Sequence, residues 1–304
     1  MLLFLEQTLN GLQLGVMLFL MASGLTLIAG IMSFINLAHG SFYMIGAFVA
    51  ASVAQATGSF MLGLAVALPA TAILAMVLES GALNRLYDRD HLDQVLATFG
   101  LILFFNELVK IVWGAQPFYL NTPDWLSGSV EIISGVPYPA YRLALIVTGL
   151  AVALFLYLLI QRSRLGMLIR AGASNREMVG ALGVNIKLLY TLVFGLGALL
   201  AALAGVMAGP IYAVQIGMGE SILILTFVVV VVGGIGSIRG AFAGALLIGL
   251  VDTMGRAYLP DMLRLALPPA TADNLGASLA SMSIYILMAV ILALRPRGLF
   301  PAHG

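Results

Sequence analysis

Between Glu6 and Glu79 the chain runs 72 residues without an Asp, Glu, Lys or Arg. As continuous helix at about 1.5 Å per residue this is about 108 Å, and one bilayer crossing takes about 20 residues, so the stretch amounts to about three spans. A soluble fold of 304 residues cannot solvate such a surface: 62% of the residues are hydrophobic and only 9% charged, against about 25% charged in an average soluble domain. Further charge-poor runs occupy 94–106, 143–160, 188–219, 221–238, 240–251 and 274–294. In hydrocarbon each run must satisfy its backbone internally, and none shows the sustained period-two alternation of a membrane barrel strand. The expected fold is therefore all-α, a polytopic membrane helical bundle of about 8–9 transmembrane segments. The N-terminus, MLLFLEQTLNGL, lacks the basic region of a signal peptide, so the first segment is expected to stay in the mature protein.

Orientation follows from the basic residues. The longest polar stretch, RSRLGMLIRAGASNREMVGALGVNIK from Arg162 to Lys187, holds five cations and one anion, +4 within a chain of net +1, which leaves −3 for everything else. Positive charge concentrated between two apolar spans marks a cytoplasmic loop. Alternating outward from it, Arg85 and Arg89, Arg239, and Arg295 with Arg297 also fall inside. The 115–140 loop, with Asp124 and Glu131 and no Lys or Arg, falls outside. Crossings are expected to start near 8, 36, 60, 94, 141, 188, 221, 240 and 275, with the N-terminus outside. The weakest two are the stretch from Asn36 and the 240–256 piece containing Asp252 and Arg256, either of which suits a broken or re-entrant segment.

Two clusters inside the apolar runs are candidates for the translocation pathway. Asn36, His39 and Ser41 in NLAHGS read either as a turn in which Asn36 caps the next helix, or as polar residues facing a cavity at membrane depth. Gly233, Gly234 and Gly236 in GGIGSIRGAFAG read either as close helix packing, or as unwound backbone with free amide and carbonyl groups beside a pathway. Glu107 with Lys110 and Asp252 with Arg256 are spaced to pair along a helix, while Glu79 and Glu220 sit at span ends, where headgroup contact is the default. His39, His91 and His303 are too scattered for a metal site, and with no Cys no thiolate site exists. Neither Lys110, after Val109, nor Lys187, after Ile186, makes the Gly-Lys-Ser/Thr of a Walker A loop, so the chain offers no such ATP site.

Within the island, Met178, Ala181 and Leu182 fall on one side of a helix. Such a short amphipathic piece suits either the headgroup layer or a groove on a soluble partner. Here Arg170-Ala171, Asn175-Arg176, Ala181 and Gly183-Val184 resemble the cytoplasmic RA-x3-N-x5-A-x-G signature of permeases of ATP-driven importers for branched-chain amino acids, the LivH type. INLAHGSFYMIGAF at 35–48, RSRLGMLIRA from Arg162, LAALAGVMAGPIY ending at Tyr212, VVGGIGSIRGAFAGALLIG at 231–249 and the RPRGLF tail extend the likeness along most of the chain.

The resemblance implies a single transmembrane permease domain over 1–304 in the bacterial inner membrane, with a cytoplasmic coupling loop at 162–187. Arg170, Ala171, Asn175, Arg176, Ala181 and Gly183 would make the ATPase coupling site. The implied partners are a second related permease, two ATP-binding cassette subunits that bind the ATP, an external substrate-binding protein and the lipid bilayer. No cofactor in this chain, no enzyme activity and no nucleic acid are implied. Two other readings compete: a self-sufficient secondary carrier or channel for small polar solutes, which the scarcity of intramembrane acids disfavours, and a membrane enzyme, for which no convergent acid, base or metal set exists.

Overall fold

A computed structural model describes residues 2–133 and 136–300 of the chain; His303 lies outside them. The helices are α1 (Leu2–Met32), α2 (His39–Thr57), α3 (Phe60–Gly81), α4 (His91–Trp113), α5 (Ala140–Arg162), α6 (Arg164–Ser174), α7 (Arg176–Ala181), α8 (Ile186–Ala208), α9 (Met218–Gly233), α10 (Ile238–Leu263) and α11 (Pro269–Leu294). Each of the nine expected crossings corresponds to one helix. A small antiparallel hairpin, β1 (Ser129–Ile133) with β2 (Val136–Pro139), lies in the 115–140 loop outside the apolar runs.

Among the described residues seven helices are long and apolar enough to cross a membrane: α1, α3, α4, α5, α8, α10 and α11. This narrows the expected count of 8–9. α2 has 19 residues, but His39, Ser41 and Gln55 dilute its apolar content, and α9 has 16, about 24 Å of helix. The doubt about the Asn36 stretch was well placed. The 240–256 piece, by contrast, is part of a continuous 26-residue helix. It tolerates its two charges because Arg256 Nε binds both carboxylate oxygens of Asp252, at 2.9 and 3.0 Å.

α1 is the axis of the bundle. It is apolar on every side, as a helix surrounded by others must be, and every residue from Gly15 to Ile28 is buried. α10 and α8 lie along it, α5 and α9 fill the remaining sides, and α2 and α3 pack on α8. α11 covers α10, and α4 lies outermost against α2. Because lipid tails are as apolar as leucine, helices associate in a bilayer by close packing rather than by burial from water, and glycines make the seams here. A Cβ on Gly24 of α1 would stand 2.5 Å from the Gly197 carbonyl of α8, and one on Gly46 of α2 would stand 2.6 Å from the Cα of Ala202. Gly205 against Tyr43 and Gly249 against Gly15 are tighter still.

The bundle sorts charge between its ends. One end gathers the basic clusters: Arg176 reaches Asp88, Arg89 and residues 172–177 line one cleft, Arg170 and Arg239 line another, and the tail binds the end of α9. At the opposite end Phe118 pairs with Val214, and Tyr138 and Arg142 both donate to Asn10 Oδ1. Most cations there are neutralised, Lys110 by Glu107, Arg256 by Asp252, and Arg264 by Asp261 and Asp273, while Arg142 is held by the Asn10 amide. Uncompensated positive charge thus collects at the end assigned to the cytoplasm.

Candidate functional site

The basic end is built around the elbow between α5 and α6. Ser163 caps α6 by accepting from Gly166 N at 3.0 Å, and its hydroxyl donates back to the Leu159 carbonyl at 2.6 Å. Gly166 rests on the carbonyls of Leu159 and Ile160, where any side chain would overlap them. Arg170 donates through its guanidinium to the Ile160 carbonyl, one of the orphan acceptors that every helix C-terminus leaves. Arg170, expected at a coupling surface, therefore fastens α6 to α5. Ala171 lies beside it, half-buried in α6.

Asn175 divides the segment. It ends α6 and starts α7, its Oδ1 accepting from Met178 N at 2.9 Å. Asn185 caps α8 in the same way, accepting from Leu188 N at 3.0 Å. Between them Gly183 takes φ +88°, a left-handed conformation that glycine adopts without strain, and it turns the chain from α7 into α8. Val179 points inward and is buried. Met178 and Leu182 are 59% and 77% exposed, with Ala181 exposed beside them. The apolar face expected from the spacing is therefore present and uncovered in this chain. The Arg176–Asp88 pair, at 3.5 Å and largely exposed, contributes at most about 0–1 kcal/mol.

Two clefts flank the segment. One, of about 440 Å³, lies between residues 172–177, the end of α1 and the 87–94 loop. Its floor is organised by Gln94, whose amide donates to the Leu86 and Arg89 carbonyls and whose Oε1 accepts from Ile35 N. The other, about 620 Å³, lies between α1, α5, α6 and the start of α10, and Gly236 lines it with Ser237 and Arg239.

Asn36, His39 and Ser41 are buried inside the protein, at 0%, 0% and 4% exposure, and line neither cleft. Ala38, not Asn36, occupies the cap position of α2, and no side chain caps that helix. His39 Nε2 lies 3.2 Å from the Met21 carbonyl in mid α1, an acceptor, so this nitrogen carries the proton. Among the described residues His39 Nδ1 and both side-chain polar atoms of Asn36 have no hydrogen-bond partner, and all three are buried.

At Gly233 and Gly234 the structure supplies a partner that the sequence gives no hint of. The tail folds back so that Leu299 N donates to the Val232 carbonyl at 2.9 Å and Phe300 N to the Gly233 carbonyl at 3.0 Å. Gly298, at φ +82°, sits so close that a Cβ on it would stand 2.6 Å from Gly234 N. Those carbonyls are capped by the RPRGLF tail. Glu79 departs from expectation as well. It is 2% exposed and accepts from Tyr87 Oη and Thr191 Oγ1, each at 2.6 Å, tying α3 and α8 to the 83–90 turn. Burial, with the Glu79 carboxylate beside it, raises the Tyr87 phenol above its ordinary range. Glu220 accepts from Asn106 Nδ2 at 2.5 Å rather than meeting headgroups. The sequence signal for Glu79 was its position at the end of an otherwise uncharged run, but nothing local marks Tyr87 and Thr191 as its donors.

The family description "Branched-chain amino acid transport system / permease component" matches residues 7–294. The chain is 32% identical over 269 residues to the "High-affinity branched-chain amino acid transport system permease protein LivH" of Salmonella typhimurium, covering 84% of this chain and 87% of the relative. It is 30% identical over 308 residues to the corresponding protein BraD of Pseudomonas aeruginosa, covering 97% and 95%. A more distant relative is the "D-allose transport system permease protein AlsC" of Escherichia coli, 26% identical over 196 residues, or 60% of this chain and 57% of that protein. No solved structure matches the chain.

Proposed function

The chain belongs to the branched-chain amino acid transport permease family, and from that premise we propose that it is the permease subunit of an ATP-driven importer that moves branched-chain or related amino acids across the inner membrane. It works with separate ATP-binding cassette subunits, an external substrate-binding protein and a second related permease. The observation that carries this reading is the α6–α7 segment: an uncovered apolar face, Met178, Ala181 and Leu182, on the basic end of a bundle that contains no Walker A loop of its own. The substrate class rests on LivH and BraD, which align over far more of the chain than AlsC does.

The fastenings suggest how force would travel. A partner groove that grips α7 moves α6 with it. The elbow at Ser163, Gly166 and Arg170 passes that displacement to α5, and the Asn185 cap passes it to α8. Both helices flank α1. On this reading Asn175, Arg176, Ala181 and Gly183 shape the docking surface, while Arg170 and Ala171 hold it to the bundle. Asn36, His39 and Ser41, with the Gly233–Gly234–Gly236 junction, lie beside the pathway. Each buried polar atom there without a partner among the described residues costs about 1–3 kcal/mol.

The test is reconstitution with the ATPase subunits and the binding protein. Loaded binding protein should stimulate ATP hydrolysis. Ala181→Trp should abolish that stimulation while the chain still inserts, whereas Arg162→Glu or Arg164→Glu should chiefly impair insertion. Full coupling in Ala181→Trp overturns the assignment, and uptake by the purified single chain without an ATPase would favour a self-sufficient carrier.

A further inference from the structure

The 620 Å³ cleft holds chemistry that the transport reading does not use. Its deep wall is apolar, from Phe19 and Leu27 of α1, Leu156 of α5 and Phe242 of α10. Its cytoplasmic rim carries two arginines, Arg170 and Arg239, and no Asp or Glu lines it. Among the described residues neither arginine is in an ion pair. The Arg239 guanidinium stands 5.7 Å from the Tyr157 ring centroid, and Tyr157 is 43% exposed on the outer side of α5. The cleft therefore opens sideways, toward the region of the acyl chains. Within it Thr26, wholly buried in α1, presents an Oγ1 that has no hydrogen-bond partner.

These features select a ligand class. Two guanidinium groups without a carboxylate favour an anion, and disfavour a zwitterionic amino acid, whose ammonium group would find no counter-charge. The apolar wall favours an anion that carries a hydrocarbon tail, and the lateral mouth gives such a molecule a route of entry. The position, at the basic end of the bundle, coincides with the leaflet surface where basic pockets between helices take anionic headgroups.

We propose that this cleft binds one anionic phospholipid of the cytoplasmic leaflet, its phosphate between Arg170 and Arg239 and the upper part of one acyl chain against Ala153 and Tyr157 of α5 and Phe242 of α10, the lining side chains that are accessible. Because Arg170 also holds the Ile160 carbonyl, the lipid braces the elbow through which the coupling segment is attached. The site is complete within one chain, so it stands or falls independently of the solute carried.

Native mass spectrometry of the purified full chain, titrated with dioleoyl-phosphatidylglycerol or dioleoyl-phosphatidylcholine, tests this. One phosphatidylglycerol should be retained at about tenfold lower concentration than phosphatidylcholine, because both offer a phosphate but only phosphatidylcholine brings a choline cation, for which the lining has two arginines and no counter-charge. Arg239→Gln, which removes a cation, and Ala153→Phe, which fills the apolar wall, should each weaken retention by about tenfold. Arg239→Lys should keep most of it, which separates loss of binding from loss of fold. Equal retention of the two lipids, or undiminished phosphatidylglycerol binding in both Arg239→Gln and Ala153→Phe, overturns the proposal. So does occupancy by inorganic phosphate that phosphatidylglycerol cannot displace, because the source is then a free anion. Retention by the isolated chain that vanishes in the assembled transporter would assign the cleft to the neighbouring permease, and equally overturns it.

Discussion

A Cβ added at Gly46, where α2 crosses α8, would lie 2.6 Å from the Cα of Ala202. Added at Gly180 in α7 it would meet nothing nearer than 3.7 Å, and added at Gly183 nothing within 4 Å. Both regions are rich in small residues, yet for opposite reasons. In the bundle the missing side chain is filled by another backbone, so the glycine is a packing surface. Around Gly180 and Gly183 the space is empty, the filled glycine of this segment being Gly166 at the elbow, and order comes from side chains that bind backbone ends: Ser163, Asn175 and Asn185 at helix starts, Arg170 at a helix finish. A seam of the first kind tolerates no added atom. A segment of the second kind tolerates bulk and loses its shape when a hydrogen bond is removed.

That contrast breaks most sharply at the seam. Gly46→Val should destabilise by about 3 kcal/mol through overpacking, read as a large fall in the thermal midpoint of the detergent-solubilised protein, while Gly183→Ala should act only through its backbone strain and lower the midpoint far less. If the two shifted equally, the distinction between filled and empty glycines would fail. Glu79→Ala tests a polar tie beside the seams: it strands the Tyr87 hydroxyl, while Thr191 keeps the Lys187 carbonyl at 3.0 Å, and should cost about 1–3 kcal/mol, with Glu79→Gln, which keeps an acceptor, milder. Asn175→Ala should remove about 1 kcal/mol of helix capping, barely visible in unfolding but visible as faster amide exchange confined to α7; Asn175→Asp should restore protection. Arg176→Gln is expected to change stability by less than about 0.5 kcal/mol, since its pair with Asp88 is solvent-exposed. A larger loss of ATPase coupling in that variant would locate the arginine's role in the partner contact.

The same contrast explains what could be read from the sequence. The positions of the apolar helices and the existence of a basic end were legible because they depend on composition along the chain: the uncharged run from Gln7 to Leu78 and the cations of 162–187 mark them without any tertiary information. Hydropathy gave less about length. The 240–256 piece looked short because Asp252 and Arg256 interrupt it, although they satisfy each other within one helix, whereas α9 looked complete and is only 16 residues long. The apolar face of α7 was legible from spacing alone, because nothing in the chain covers it. The role of Arg170 was not, since its acceptor is the end of a preceding helix, reached only because Gly166 bends the chain back on itself. Asn36 was open to reading as a cap until the helix proved to begin at His39 with Ala38 before it.

The docking of Leu299 and Phe300 on the carbonyls of Val232 and Gly233 has a consequence for biosynthesis. Ribosomal synthesis delivers the end of α9 to the membrane with those two acceptors open, and their donors do not exist until α10 and α11 have both been made. The junction between α9 and α10 is therefore finished late, by a segment that must find its way back along the cytoplasmic face after the rest of the bundle has inserted. A nascent chain arrested after α11 but before the tail would hold all of α1 to α11 and still lack the piece that sets this turn.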